Sequence, residues 1–239
     1  MKKMLLVAAM LLAFVGAKAQ TNIQEMYDFG RGHFTTTLEM FKSDPWGSTF
    51  FFTDIYHTNV GVPAPTDFYT EIARSLNFWH TTALKDLSLH VEWNGGIGIF
   101  DNGFGTSYHG YAVNNAWLYG VEYCFHNANF SKTLTLEAMY KDIRGGSSKV
   151  PLQLTAVWGL TNIFGVKGLD FSGFADFWWE DQAMGTSTVF LTEPQLWYNV
   201  GQHFACNNLM VGGEVEVANN FAGVEGWTVR PCLGVKWAF

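Results

Sequence analysis

Two short segments interleave aromatic rings with a carboxylate, a combination that binds planar polar molecules. Phe50, Phe52, Asp54 and Tyr56 occupy one parity of residues 48–57, and Phe174, Asp176 and Trp178 occupy one parity of residues 168–179. Ring faces stack on a heterocyclic base, and carboxylates accept hydrogen bonds from sugar hydroxyls or exocyclic amines. Acids on the equivalent parity elsewhere are Glu39, Glu71, Glu92, Glu122, Glu137, Glu193, Glu214 and Glu216, with Lys141, Arg230 and Lys236 as the main basic partners. Both ring-bearing segments are aromatic on either parity, so a slip of one residue exchanges their two faces.

Other chemistry has little support in the residue spacing. There is no Gly-x-Ser-x-Gly elbow, no HExxH and no CxxC, and seven histidines lie scattered along the chain. His57, His109 or His203 could join a hydrolytic triad only under an assumed register. The reading is therefore not an enzyme, with no cofactor and no metal. Cys124, Cys206 and Cys232 are too few and too dispersed for a disulfide scaffold.

The elements that position these side chains follow from composition and alternation. With 48% hydrophobic, 17% aromatic and 15% charged residues, the chain has ample apolar surface to fold. A formal charge of −7, with no basic stripe, argues against a nucleic-acid partner. Lys2 and Lys3, an apolar run from Met4 to Val15, and Ala17-Lys18-Ala19 form the three parts of a cleaved signal peptide over residues 1–19. That run is shorter than the roughly 18–20 residues of a spanning helix.

Period-two alternation dominates the rest. Trp227, Val229, Pro231, Leu233, Val235, Trp237 and Phe239 share one parity, against Thr228, Arg230, Cys232, Gly234, Lys236 and Ala238 on the other. The same pattern predicts strands at about 23–29, 34–43, 48–57, 67–79, 87–97, 113–125, 132–142, 150–161, 168–179, 188–199, 208–217 and 227–239. Tight turns are expected near 45–47, 81–86, 127–131, 162–167 and 201–207, and longer loops near 58–66, 98–112, 143–149, 180–187 and 218–226. Aromatic residues crowd the apolar parity near strand ends, and the polar parity lacks the Lys and Arg of a soluble exterior. Residues 20–239 therefore read as one all-β domain, a transmembrane antiparallel up-and-down β-barrel of about twelve strands in a Gram-negative outer membrane.

The terminal Phe239, with Leu233, Val235 and Trp237 at alternating positions before it, resembles the C-terminal signal read by the barrel assembly machinery. Residues Gly47 to Ile55, following Leu38-Glu39-Met40-Phe41 and a Pro-Trp-Gly turn, resemble the early strands of the Tsx-like nucleoside-specific channel family. The resemblance is clearest over residues 25–100. It implies a monomeric channel in outer-membrane lipid, passing nucleosides by passive diffusion through a narrow lumen lined by Phe50, Phe52, Asp54, Glu39, Glu71, Glu92, Glu122, Phe174, Asp176, Trp178, Arg230 and Lys236. The alternatives are a barrel filled by its own side chains, a barrel that binds partners through surface loops, and a barrel hydrolase.

Overall fold

A computed structural model describes residues 20–58, 65–101 and 108–239. The leader expected over residues 1–19 and parts of the loops expected near 58–66 and 98–112 lie outside them. Thirteen antiparallel strands form one sheet: β1 (Gln20–Asp28), β2 (His33–Asp44), β3 (Gly47–His57), β4 (Asp67–Leu76), β5 (Leu87–Asp101), β6 (Tyr108–His126), β7 (Lys132–Ile143), β8 (Leu152–Leu160), β9 (Leu169–Trp179), β10 (Thr188–Thr192), β11 (Gln195–Tyr198), β12 (Leu209–Asn219) and β13 (Trp227–Ala238). Strand β1 pairs with both β2 and β13, so the sheet closes on itself and has no edge.

Strands β10 and β11 are two halves of one barrel stave. Each half pairs with β9 on one side and β12 on the other, and the register does not slip between them. The interruption falls at Glu193-Pro194, because proline has no N–H to give the ladder. The barrel therefore has twelve staves, as the alternation predicts.

Which parity points inward follows from the register. Gln24, Asp28, His33, Thr37, His90, Glu92, Asn94, Gln153 and Glu216 are buried. Ile23, Phe34, Leu38, Ile72, Leu89, Val121, Leu136, Leu233 and Val235, on the opposite parity, are exposed. This is a soluble protein turned inside out. Polar groups fill the lumen and an apolar wall faces outward, the arrangement that hydrocarbon demands of a sheet. Apolar contacts inside form two islands, Met26 with Trp197 and Cys232, and Ala116 with Leu118 and Met139.

The rim that carries Gln20 and Phe239 also carries an aromatic girdle. Each of its five turns presents one large exposed ring, in order Trp46, Phe78, Phe130, Phe164 and Phe204, and Phe239 adds a sixth at the chain end. Rings of this kind settle at the membrane–water boundary. Phe130 and Phe164 hold positive φ, so the turns bend in a strained conformation that keeps these rings outward.

Three sequence expectations change. Residues 98–101 and 108–112 were expected in a loop but extend β5 and β6 beyond the neighbouring strands, where Gly98 leaves room for the ring of its partner Tyr111. The break at Glu193-Pro194 lies within the stave expected to run unbroken over 188–199. Finally, the two rims do not divide into short and long connections. Residues 77–86 and 199–208, on the side expected to be tight, each run ten residues. They are held by their own hydrogen bonds: Asn77 Nδ2 and Trp79 Nε1 donate to backbone oxygens of Lys85 and Leu87, and Asn199 caps a 3-10 turn over Val200–Phe204.

Candidate functional site

Cross-strand pairing assigns every expected lumen residue to the inward face. Thr37 pairs with Asp54, Glu39 with Phe52, Phe52 with Glu71, and Asp54 with Tyr69, which fixes Phe50, Phe52, Asp54 and Tyr56 inward and Phe51, Thr53 and Ile55 outward. On the far wall, Thr155 pairs with Asp176 and Gln153 with Trp178, so Phe174, Asp176 and Trp178 face inward too. The register ambiguity of both segments is thus resolved by their neighbours, whose polar parity is unambiguous.

The first ring–carboxylate group lies on β2, β3 and β4. Phe50, Phe52 and Tyr69 form a chain of rings with 6.0 Å between successive centroids. Thr37 donates to Asp54 Oδ1 at 2.6 Å, and Tyr69 donates to Glu71 Oε1 at 2.6 Å. Glu39 accepts from Asn22 Nδ2 at 2.9 Å. These carboxyls are held by hydroxyls and amides rather than by cations.

The second group lies on β7, β8 and β9. Thr155 donates to Asp176 Oδ1 at 2.5 Å, and Lys141 reaches Gln153 Oε1 at 2.7 Å. Lys141 Nζ also sits 4.0 Å from the centre of the buried Trp178 ring, a cation–π contact. Lys236 repeats the arrangement elsewhere, 4.2 Å over the buried Trp197. Both lysines are thereby laid against the wall.

Arg230 and Lys236 do not join a single substrate site. Arg230 binds Glu216 toward the rim opposite Gln20 and Phe239, whereas Lys236 belongs to the other end of β13. Glu216 also takes Arg31 from the β1–β2 turn, and Arg31 in turn holds Asp28. Partial burial opposes the Arg31 charge, but the Glu216 and Asp28 carboxylates outweigh it and raise the guanidinium above its ordinary pKa. Glu92 and Glu122 belong to a third group around His90. The expected residues therefore line the wall in separate groups.

Sequence reasoning missed Tyr69, Gln153, Trp197 and Arg31. The first three lie on the inward parity of expected strands, so their positions were available. Arg31 lies in a turn, and its reach to Glu216, 185 residues away, has no local signal. A polar group on the outer wall was also missed: Thr36 lies 2.5 Å from Glu25 Oε2 and 2.9 Å from His57 Nε2.

A closed, inverted barrel with an acid-rich, ring-lined interior defines a membrane protein of porin-like fold. Over residues 19–239 the sequence matches the family described as "Domain of unknown function (DUF5020)", and the chain belongs to that family. Among solved structures it is similar to one described as "KdgM porin", at 14% identity and a TM-score of 0.50, covering 92% of this chain and 99% of that one. That likeness concerns the fold. A Pseudomonas putida OprB structure matches at 8% identity and a TM-score of 0.41, covering 88% of this chain and 60% of that one. A variant of Rh. blastica porin matches at 13% identity and 0.37, covering 93% and 100%. No curated protein matches the sequence.

Proposed function

We propose that this barrel is a passive outer-membrane channel for small polar solutes that are neutral or cationic, with nucleosides as the leading class. The observation that carries the reading is the lumen's uneven charge. Asp28, Glu39, Asp54, Asp67, Glu71, Glu92, Glu122, Glu137, Asp170, Asp176, Glu193, Glu214 and Glu216 lie on the inward parity, against Lys141, Arg230 and Lys236, with Arg31 reaching in from the β1–β2 turn. A narrow passage of that sign concentrates cations and repels anions.

The nucleoside assignment rests on Phe52 beside Asp54 and Glu71, and on Asp176 beside Trp178. A base stacks on the ring while ribose hydroxyls donate to the adjacent carboxylate. Release stays easy because neither contact requires a charged ligand. Residues Leu233, Val235, Trp237 and Phe239 serve assembly, since all four are exposed on the outer wall or its rim where a partner reaches them. The channel works as a monomer, with no cofactor and no covalent chemistry.

The test is swelling of proteoliposomes carrying the refolded protein, with nucleosides compared to sugars and amino acids of similar size. Nucleosides are expected to enter faster, and the Phe52→Ala, Asp54→Asn double variant is expected to lose that advantage. A folded barrel that admits none of these solutes would be a structural or surface-binding barrel.

A further inference from the structure

The sheet gathers one histidine and two carboxylates that are far apart in sequence. Glu122 on β6 pairs directly with Glu137 on β7, and His90 on β5 pairs with Gly120, which adds no side chain beside it. His90 Nδ1 lies 2.8 Å from Glu122 Oε2 and 4.0 Å from Glu137 Oε2, and one donor atom from each residue falls within 4.8 Å of the others. The three side chains are 5%, 13% and 9% exposed.

Two like charges directly opposite on adjacent strands repel, and burial strengthens the repulsion. Glu137 shows the consequence. It accepts no hydrogen bond among the described residues, and His90 at 4.0 Å is its nearest cationic partner. With Glu92 included, three carboxyl groups surround one imidazole, an excess of anionic donors that a divalent cation would balance by displacing their protons.

The second face of the histidine is arranged for the same purpose. His90 Nε2 lies 3.3 Å from Glu92 Oε2, and Asn94 Nδ2 donates to the other Glu92 oxygen at 3.2 Å. With Nε2–H held by Glu92, Nδ1 can exchange the proton it shares with Glu122 for a metal ion, the outer-shell arrangement that metal-binding histidines use.

We propose that His90 Nδ1, Glu122 and Glu137 bind a divalent transition-metal ion, with Glu92 orienting the histidine. Mixed nitrogen and carboxylate donors favour zinc and its neighbours over calcium or magnesium. Donors at tetrahedral zinc distances stand about 3.3 Å apart, between the 2.8 and 4.0 Å separations seen from His90 Nδ1, so small side-chain shifts complete the site. Three protein ligands leave a fourth position for water. Binding here is independent of whether solutes cross the lumen, so the channel reading can fail without touching it.

The experiment uses the untagged barrel, refolded in detergent, freed of metal with a chelator and titrated with Zn²⁺ by calorimetry. One ion per chain is expected. His90→Gln and Glu137→Gln should each weaken binding at least about tenfold, and Glu92→Gln about tenfold, as loss of an outer-shell partner does. Heat-modifiable gel migration confirms that each variant is folded. Co²⁺ added to the unaltered protein supplies a readout that needs no variant, since a tetrahedral site gives intense visible absorption. No stoichiometric Zn²⁺ and no Co²⁺ spectrum, or binding of unchanged strength in the folded His90→Gln, Glu137→Gln double variant, would overturn the proposal.

Discussion

Arg31 Nη2 lies 2.6 Å from Glu216 Oε2, joining the β1–β2 turn to β12 across β13. The bond spans two ladders, β1 with β13, where the barrel closes, and β13 with β12. Because Glu216 is buried and keeps Arg230 as a second partner, Arg31→Ala is expected to cost about 1–3 kcal/mol rather than abolish folding. Urea unfolding in detergent checks this, and an unchanged midpoint would show that Arg230 alone satisfies Glu216.

Gly47 begins β3 at φ +137°, and a Cβ there would stand 2.0 Å from the Ser75 carbonyl oxygen on the adjacent strand. Neither the backbone nor its neighbour can yield without opening the β3–β4 ladder. Gly47→Ala should therefore lower stability by roughly 2 kcal/mol or more. A loss below about 0.5 kcal/mol, the usual range for a surface substitution, would contradict the close approach.

Phe239 donates its backbone N–H to the Thr21 carbonyl at 2.8 Å, while its ring stays exposed. Phe239→Ala keeps the backbone bond and removes only the ring. Refolding into detergent is expected to match the parent, and the fraction assembled in cells is expected to fall several-fold. Equal assembly in cells would remove the assembly role from this residue.

The barrel was legible because its signal is local. Alternation along β13, with Leu233, Val235 and Trp237 against Cys232, Gly234 and Lys236, needs only adjacent residues, and inversion followed from the polarity of the inward parity. The inward set at Phe50, Phe52 and Asp54 was a choice between two aromatic parities, decided only by partners such as Thr37 and Tyr69. The His90 group was legible only in part: Glu92, Glu122 and Glu137 were expected on the inward parity, but not their meeting at one histidine. His90 and Glu122 stand 32 residues apart, and their meeting depends on the register of β5 against β6. Loop lengths misled for a related reason: Asn77, Trp79 and Asn199 stabilise ten-residue connections where two would close the hairpin.

The central claim is an open, acid-lined passage, and the zero-current potential of the protein in a planar bilayer under a KCl gradient tests it most directly. Discrete conductance steps with the dilute side turning positive, and a shift toward zero in the Asp54→Asn, Glu193→Gln, Glu214→Gln variant, are the predicted result. Silent bilayers from a folded barrel, or a potential of the opposite sign, would contradict the account.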